Sequence, residues 1–236
     1  MRATLALALV LIASACGGGE REVAAPTQVR FKASDGVQLA GTLFGSGDVA
    51  VVCSHMGRSG DTQAEWFGLA KELAARGYLV LTYNRRGIGP SKGFDSYSES
   101  WRDVVGADRF VRSRGARRVI LIGASIGAMS SLYAAARGAV APAGLAEIAG
   151  IEGGAYSYRR RDVHRIPGLK LFVSSRDDIY GGAPAARHWY RWASPPKRLV
   201  LLPGDEHGTD MLAPIQPTAK RLREVLIGFV DEAAGG

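Results

Sequence analysis

One serine of the chain stands between two glycines, in the stretch Gly123-Ala124-Ser125-Ile126-Gly127. A serine hydroxyl is a poor nucleophile until a neighbouring base takes its proton, and an oriented histidine commonly acts as that base. With 31 glycines among 236 residues, chance alone gives this pattern about 0.3 times in such a chain. The motif by itself is therefore weak evidence for catalysis. Whether Ser125 is a nucleophile depends on the residues and secondary-structure elements around it.

An acid and a base of suitable type occur later in the chain. Asp177 and Asp178 lie in the stretch SSRDDIYGG, and His207 lies in PGDEHGTDML. A histidine that takes a serine proton needs a carboxylate that fixes its tautomer and stabilises the imidazolium. Serine, aspartate and histidine together are the set that acyl transfer requires, provided that the fold brings them to one place.

Each of these residues follows a stretch that we interpret as a buried strand. Apolar runs at 117–123, 169–175 and 198–204 end shortly before the serine, the two aspartates and the histidine, respectively. The carboxyl ends of parallel strands meet at one edge of a sheet, where sites of this fold class form. A helix predicted over 126–137 would also direct its first backbone N–H groups at the serine.

The remaining pattern predicts an α/β fold: a doubly wound, mostly parallel sheet with helices on both faces, preceded by an N-terminal hairpin. A D-G turn joins the two strands of that hairpin. Segment 151–168 is too short for a large lid. The other predicted strands are 29–33, 37–44, 49–55, 78–84 and 145–150, and the other predicted helices are 63–76, 100–114, 183–193 and 217–233.

Composition narrows the classes of partner. The formal charge is +8 and arginine greatly outnumbers lysine, but the arginines are scattered along the chain. A nucleic-acid surface would cluster them among aromatic side chains, so no nucleic-acid partner is expected. The four histidines have no zinc-type spacing, so we expect neither a metal nor another cofactor. Cys53 lies in an apolar run, which is typical of a buried core thiol.

The first residues have the pattern of a secretion signal. An apolar stretch at 5–13 is too short to span a bilayer, and small residues precede Cys16. This resembles the lipobox of bacterial lipoproteins, in which the cysteine is acylated. We therefore expect a signal peptide over 1–15, a flexible tether over 16–27 and a folded domain over 28–236. The resemblance implies secretion across the cytoplasmic membrane and anchoring to a membrane through the acyl chains on Cys16. The alternative is ordinary secretion, with a cysteine that is not acylated.

From residue 28 to 233 the chain resembles an α/β-hydrolase of the serine esterase and dienelactone-hydrolase-like kind, without a large lid. The stretches that carry the resemblance are VVCSHMGRSGDTQAEW, GYLVLTYNRRGIGPSKG, LIGASIGA, SSRDDIYGG and LPGDEHGTDML. Their joint order covers nearly the whole predicted domain. It is far more specific than a single serine between two glycines.

The resemblance implies a role for each candidate residue. Ser125 would be the nucleophile, His207 the general base, and Asp178 the acid, with Asp177 as the alternative acid. The backbone N–H groups of Met56 and Ile126 would form an oxyanion hole, which stabilises the tetrahedral intermediate.

Some neighbouring residues have less certain roles. Asn84 stands where the family usually has aspartate, which implies a local hydrogen-bond change rather than lost catalysis. His55 is expected to orient the oxyanion loop. Arg85 and Arg86 could hold a substrate carboxylate or serve the fold. Segment 156–164 could line the pocket or be a solvated basic loop, and exposure is expected for His164 and His188.

The sequence thus leads to a serine hydrolase that cleaves a small-molecule ester or similar acyl bond through an acyl-enzyme. The same three residues would serve a peptidase or an amidase equally well. A protein of another class, a noncatalytic lipid-anchored binding or scaffold protein on a hydrolase fold, is the further alternative.

Overall fold

A computed structural model describes residues 24–235 of the chain, so the predicted signal peptide and Cys16 lie outside the described residues. Eight strands form one sheet in the order β1-β2-β4-β3-β5-β6-β7-β8. The first two junctions in this order are antiparallel and all later ones are parallel. The strands are β1 Thr27–Lys32, β2 Gln38–Phe44, β3 Val49–Ser54, β4 Leu79–Asn84, β5 Arg118–Ala124, β6 Gly144–Ile148, β7 Leu169–Ser175 and β8 Lys197–Leu202.

Helices cover both faces of this sheet, as the sequence predicts. One apolar core contains side chains from α2, α3, α4 and α5, and the other contains side chains from α1 and α6. The helices are α1 Phe67–Ala75, α2 Trp101–Ser113, α3 Ile126–Ala136, α4 Arg160–His164, α5 Gly182–Trp192 and α6 Ala219–Gly235. Within residues 24–235, no helix is long and apolar enough to cross a membrane.

The continuous apolar runs of the central strands follow from this two-sided cover. Successive side chains of a strand point to opposite faces. In β5, Val119 and Leu121 therefore enter one core, whereas Ile120 and Ile122 enter the other. A strand with helices on both faces cannot alternate apolar with polar residues, and its sequence becomes apolar throughout. The predicted fold class is confirmed.

Several element bounds differ from the predicted ones, and one short helix is not predicted. The helix predicted over 63–76 starts with a separate 3-10 turn, Gln63–Trp66, which Thr62 and Glu65 cap reciprocally. Helix α4 has only five residues and no apolar periodicity, so the sequence gives no signal for it. Strand β6 ends at Ile148, two residues early, because Ala149 has a φ of 50° that no strand accommodates.

The direction of the strands gives the sheet two different edges. We call the edge where β3 to β8 end the carboxyl edge, and the edge where they begin the amino edge. Phe44 pairs with Val80 and Thr27 pairs with Leu43. Because Val80 lies near the start of a parallel strand, the chain reaches the sheet at the amino edge.

Candidate active site

Ser125 occupies a sharp turn between β5 and α3 at the carboxyl edge. Its φ of 50° and ψ of −116° are rare for a residue with a side chain. Two backbone hydrogen bonds hold the turn: the Ser125 N–H donates to the Ile148 carbonyl at 2.9 Å, and its carbonyl accepts from Met129 at 2.9 Å. The strained backbone presents the hydroxyl at the rim of the sheet, while the residues on either side of Ser125 are buried.

The two glycines of the motif are required by crowding around this turn. A Cβ on Gly123 would lie closer than 3.0 Å to backbone atoms of Gly127 and Ala128. A Cβ on Gly127 would lie closer than 3.0 Å to the carbonyl of Ser54, on the neighbouring strand β3. The spacing of glycine, serine and glycine therefore reflects how tightly α3 approaches the sheet.

A chain of hydrogen bonds joins three predicted site residues. The Nε2 atom of His207 lies 2.8 Å from the Ser125 hydroxyl, and its Nδ1 atom lies 2.8 Å from Asp178 Oδ2. The Asp178 side chain is fully buried, and the imidazole is 15% exposed. The backbone N–H of Tyr180 donates to Asp178 Oδ1 at 2.9 Å, so both carboxylate oxygens have partners.

The structure distinguishes the two candidate acids. Asp178 faces His207, whereas the side chain of Asp177 is exposed, and its backbone N–H donates to the Gly204 carbonyl. Both residues lie in the turn that follows β7, beyond its last residue Ser175. The geometry favours Asp178 as the acid, because Asp178 and not the alternative, Asp177, belongs to the hydrogen-bonded chain.

A cavity of about 430 Å³ opens beside the Ser125 hydroxyl. Met56 and Ile126 line it, and their backbone N–H groups donate no hydrogen bond to any residue among 24–235. Two free N–H groups next to a serine hydroxyl are what an oxyanion hole requires. Most of the other lining side chains are apolar, including Met129, Ile151 and Tyr180.

The ion pair at the rim of this cavity has no counterpart in the sequence predictions. Arg58 donates to both carboxylate oxygens of Asp210 at 2.6 Å and 2.9 Å, and it also contacts Asp61. These carboxylates raise the pKa of the Arg58 guanidinium above its usual value. Because one arginine faces two carboxylates, the rim carries no free positive charge. The partners are 152 positions apart in the chain, which hides the pair from any local pattern.

His55 supports the loop that carries Met56. The buried imidazole contacts the Met56 carbonyl through Nδ1 at 2.6 Å, and its Nε2 accepts from the Arg85 backbone N–H at 3.1 Å. Burial, together with the nearby Arg85 charge, lowers the pKa of His55 to about 4. A neutral imidazole thus bridges the loops that follow β3 and β4, in agreement with its predicted orienting role.

Arg85 and Arg86 are both engaged within the fold. Arg85 pairs with Asp95, and Arg86 donates to Asp35 at 2.9 Å and to the buried Asp103 at 2.9 Å. Burial raises the pKa of Asp103 to about 6, although the Arg86 charge opposes the shift. Of the two predicted roles for these arginines, the geometry supports the structural one.

Asn84 has the local role that the sequence predicts. Its Oδ1 accepts from the Gln63 backbone N–H at 2.8 Å, and its Nδ2 donates to the Gly89 carbonyl at 2.6 Å. An aspartate could make only the first of these bonds. Asparagine therefore ties the loop after β4 to the turn that precedes α1.

Cys53 and His164 have the environments that the sequence predicts, whereas His188 does not. Cys53 is a buried free thiol, and burial raises its pKa. His164 is exposed as expected. His188 is not: its side chain is only 25% exposed, because it pairs with Glu152 at 2.7 Å and packs against the Trp192 ring.

Segment 156–164 divides by residue type. Tyr156 is buried, stacks on Tyr133 with ring centroids 4.5 Å apart, and contacts the hydroxyls of Ser100 and Ser130. The three arginines 159–161 are exposed. The segment is thus an aromatic support for α2 and α3 with a solvated basic surface, and the cavity is lined by the residues just before it.

Glu147 is a buried carboxyl group that the sequence analysis does not single out. It lies on β6, is 1% exposed, and burial raises its pKa to about 8. A Cβ on Gly150 would meet its Oε1 atom closer than 3.0 Å, so the glycine makes room for this side chain. An acidic residue inside an apolar run was the available signal. Among residues 24–235, no three histidine, cysteine, aspartate or glutamate side chains gather as a metal ion requires.

A mostly parallel sheet with a serine on the strained turn between a central strand and a helix defines the class of α/β hydrolases. Comparison with known proteins agrees with that class. Residues 51–231 match the model of the alpha/beta hydrolase family, and the chain belongs to this family. It is therefore a hydrolase. The uncharacterized protein YfhR of Escherichia coli (strain K12) is 30% identical over 209 residues, which cover 76% of this chain and 72% of YfhR.

Solved structures share the fold at low sequence identity. The esterase Pf2001 of Pyrococcus furiosus superposes with a TM-score of 0.70 at 14% identity, covering 88% of this chain and 90% of its own. XC6422 of Xanthomonas campestris, described as a serine hydrolase without lid, gives 0.65 at 19% identity, with 88% and 93% covered. Est1E of Butyrivibrio proteoclasticus, solved with ferulic acid, gives 0.68 at 15% identity, with 86% and 100% covered.

Proposed function

We propose that the protein is a serine esterase in which Ser125, His207 and Asp178 form a catalytic triad. The hydrogen-bonded chain from the serine hydroxyl through the imidazole to the buried carboxylate is the observation that carries this proposal. Two further features support it: the free N–H groups at Met56 and Ile126, and a cavity that ends at the serine.

Each step of the proposed reaction has a residue in reach. His207 Nε2 takes the hydroxyl proton as Ser125 Oγ bonds to the ester carbonyl carbon. The carbonyl oxygen becomes an oxyanion that accepts hydrogen bonds from the Met56 and Ile126 N–H groups, each worth roughly 3 kcal/mol. His207 then protonates the departing alkoxide, and an acyl-enzyme remains. Water, deprotonated by His207, attacks the acyl carbonyl; the bond to Ser125 Oγ then breaks, His207 returns the proton to Oγ, and the acid is released.

Asp178 acts through the histidine in this scheme. Its Oδ2 accepts from His207 Nδ1, which leaves Nε2 free to receive the serine proton. The carboxylate also stabilises the imidazolium that forms when the proton arrives. Because Asp178 is buried and its other oxygen is held by the Tyr180 N–H, the acceptor is fixed in place.

The cavity indicates the class of substrate. Its walls are largely apolar, and the arginine at its rim is neutralised by two carboxylates. A carboxylate group on the substrate would therefore gain little binding free energy from the arginine at the mouth of the cavity. At about 430 Å³ the cavity suits a small or medium uncharged acyl ester. One of the similar solved proteins, Pf2001, is described as an esterase, which fits this class.

The decisive experiment compares wild type with Ser125→Ala and with Ser113→Ala, a change of an exposed serine at the end of α2. We expect wild type and Ser113→Ala to hydrolyse short p-nitrophenyl esters and to react with a fluorophosphonate at Ser125. Ser125→Ala should lose at least about 10³-fold in kcat and give no adduct. If Ser125→Ala keeps the wild-type rate, the assignment is wrong, and an unreactive wild-type serine would favour a binding protein.

We also propose that the mature chain is held at a membrane by acylation of Cys16. The support is the sequence: an apolar stretch over 5–13 and small residues directly before the cysteine. The chain expressed with its signal should partition into the detergent phase, and Cys16→Ala should move to the aqueous phase. Equal partition of the two proteins would contradict the acyl anchor.

A further inference from the structure

The amino edge is where residues 1–23 join the described domain. Ala24 and Ala25 precede β1 and lie in one shallow groove with the exposed side chains Arg30 and Arg114. Ser125, in contrast, follows the last residue of β5 at the carboxyl edge. The chain that precedes the domain therefore arrives on the side of the sheet opposite the proposed nucleophile.

This edge carries exposed arginines whose charge is not neutralised. We call Arg114, Arg117 and Arg165 the basic rim, together with Arg30, which shares the groove of Arg114 although its backbone lies level with Asn84. All four are exposed and have no acidic side chain within 4.0 Å among residues 24–235. Arg117 directly precedes β5, and Arg165 lies in the short loop between α4 and β7.

The acidic side chains of the amino edge are largely occupied by other arginines. Asp108 pairs with Arg112 at 3.0 Å, Asp231 pairs with Arg76 at 3.2 Å, and Glu232 pairs with Arg198. Asp48 has no arginine or lysine partner within 4.0 Å among the described residues, so it offsets one charge of the rim. The four rim arginines still leave a positive surplus.

Helix termini explain only part of this surplus. A helix C terminus favours a nearby cation, and Arg114 and Arg165 stand at the ends of α2 and α4. Arg30 lies on strand β1 and Arg117 lies on a loop, so neither has a helix end to complement. Stabilisation of a helix end therefore does not explain why these two positions carry exposed positive charges.

The spread of the rim indicates the shape of its partner. The rim extends from β1 to the start of β7, which are six positions apart in the sheet order, a span of roughly 30 Å at the usual spacing of strands. A small anion could contact at most the two arginines of one groove, Arg30 and Arg114. A planar anionic surface would contact the whole rim, with about 1 kcal/mol for each basic residue near it.

We propose that the amino edge is a membrane-facing surface, in which the basic rim contacts anionic phospholipid headgroups and holds the cavity of Ser125 away from the bilayer. This inference rests on the proposed anchor at Cys16 only for bringing the domain to a membrane. Electrostatic attraction between the rim and the headgroups then fixes which edge faces the lipid.

The first test measures binding to vesicles without an acyl chain. Both apolar cores lie within residues 24–235, so a chain that starts at residue 16 and carries Cys16→Ala keeps the whole domain. We expect this protein to cosediment with vesicles that contain phosphatidylglycerol at low salt, and to be released at high salt. It should not bind vesicles of phosphatidylcholine alone, and equal binding to both vesicles would overturn the proposal.

Two matched double variants locate the surface. Arg114→Glu with Arg117→Glu reverses two rim charges, and Lys92→Glu with Arg176→Glu makes the same change of net charge on exposed side chains at the carboxyl edge. The rim pair should weaken vesicle binding by at least about 10-fold, and the control pair by less than about twofold. Equal losses would mean that only net charge matters, and the proposal would be wrong.

Orientation has its own test. In the Cys16→Ala chain the remaining cysteine, Cys53, is buried, so a polarity-sensitive fluorophore can be placed on Ser113→Cys at the amino edge or on Ser59→Cys in the loop after β3. A lipid-borne quencher should reduce the emission of the first label only. Stronger quenching of the second label, or release of the protein from vesicles by duplex DNA at equal charge concentration, would overturn the membrane assignment.

The esterase proposal is tested separately. The double variant Arg114→Glu with Arg117→Glu should hydrolyse esters at the wild-type rate.

Discussion

The two edges of the sheet use charged residues in opposite ways. At the carboxyl edge, Asp178 and Asp103 are buried, and each accepts hydrogen bonds from a partner fixed on another loop. At the amino edge, Arg114 and Arg117 are exposed and have no acidic partner among residues 24–235. Buried charges are held in one geometry, whereas exposed charges act through a field that salt screens.

The fixed charges of the carboxyl edge suit catalysis, whereas the mobile charges of the amino edge suit binding to an extended surface. A reaction needs atoms held within a few tenths of an ångström, and only buried, multiply bonded side chains such as Asp178 meet that demand. Attraction to an extended surface needs charge in the right region and tolerates mobile side chains. The substitutions below separate the two behaviours, beginning with the one that should have the largest effect.

Replacing one carboxylate oxygen of Asp178 with an amide nitrogen should have the largest effect on activity. Asp178→Asn replaces the acceptor of His207 Nδ1 and so favours the wrong tautomer, and we expect kcat for ester hydrolysis to fall about 10⁴-fold. The matched change Asp177→Asn alters an exposed neighbour, and its kcat should stay within about twofold of wild type. Comparable losses in the two variants would contradict the assignment of Asp178 as the acid.

Loss of a buried cation should rank second. Arg86→Ala leaves Asp103 buried without its guanidinium partner, and we expect the free energy of unfolding to drop by about 3–5 kcal/mol. Arg117→Ala removes an exposed arginine from the amino edge, and its effect should stay within about 0.5 kcal/mol. Urea unfolding measures both changes. Equal midpoints for the two variants would show that burial does not separate the edges as we infer.

The buried carboxyl of Glu147 should make stability depend on pH. Its pKa is about 8 in the folded protein against an ordinary value of 4.5, so between these values the folded state holds the extra proton. Stability is therefore full below pH 4.5 and falls as pH rises, by about 3 kcal/mol between pH 5 and 8. Glu147→Gln should remove this contribution, while Asp205→Asn, at an exposed acid, should keep it. Superimposable pH profiles for wild type and Glu147→Gln would refute the inference.

The smallest effect is expected at Asn84. Asn84→Asp would place a carboxylate oxygen against the Gly89 carbonyl, where an N–H now donates. We expect a loss of about 1–3 kcal/mol in stability, seen as a lower Tm, with kcat for esters within a few-fold of wild type. A stabilised variant, or a kcat that falls as far as in Asp178→Asn, would contradict the purely local role.

The sequence predicts well what depends on short stretches. Strand β7 has the predicted bounds, because a run of apolar residues between polar loops can be recognised from the local sequence alone. The candidates Ser125 and His207 follow from the same signal, since each stands shortly after a predicted strand. That signal does not separate Asp177 from Asp178, and only the family resemblance favours Asp178. The structure brings Ser125, Asp178 and His207 together. Their roles stay predictions until the variants above are measured.

What the sequence does not predict depends on contacts between distant segments. Arg86 and Asp35 are 51 positions apart, and no local pattern indicates that they pair rather than bind a substrate. His188 was expected to be exposed, because its neighbours in the chain include arginine, but tertiary packing against Trp192 covers it. Glu147 is recognisable in the sequence as an acid inside an apolar run, but only the packed fold shows that its side chain is buried.

The glycines beside Ser125 have a consequence for searches of other sequences. A side chain at Gly123 or Gly127 would collide with backbone whether or not the serine ever reacts. Descendants of such a chain that lost hydrolysis would therefore retain both glycines, since the turn could not close without them. A pattern search that relies on the glycines recovers active and inactive relatives alike, and the residues at the positions of Ser125, Asp178 and His207 would tell the two apart.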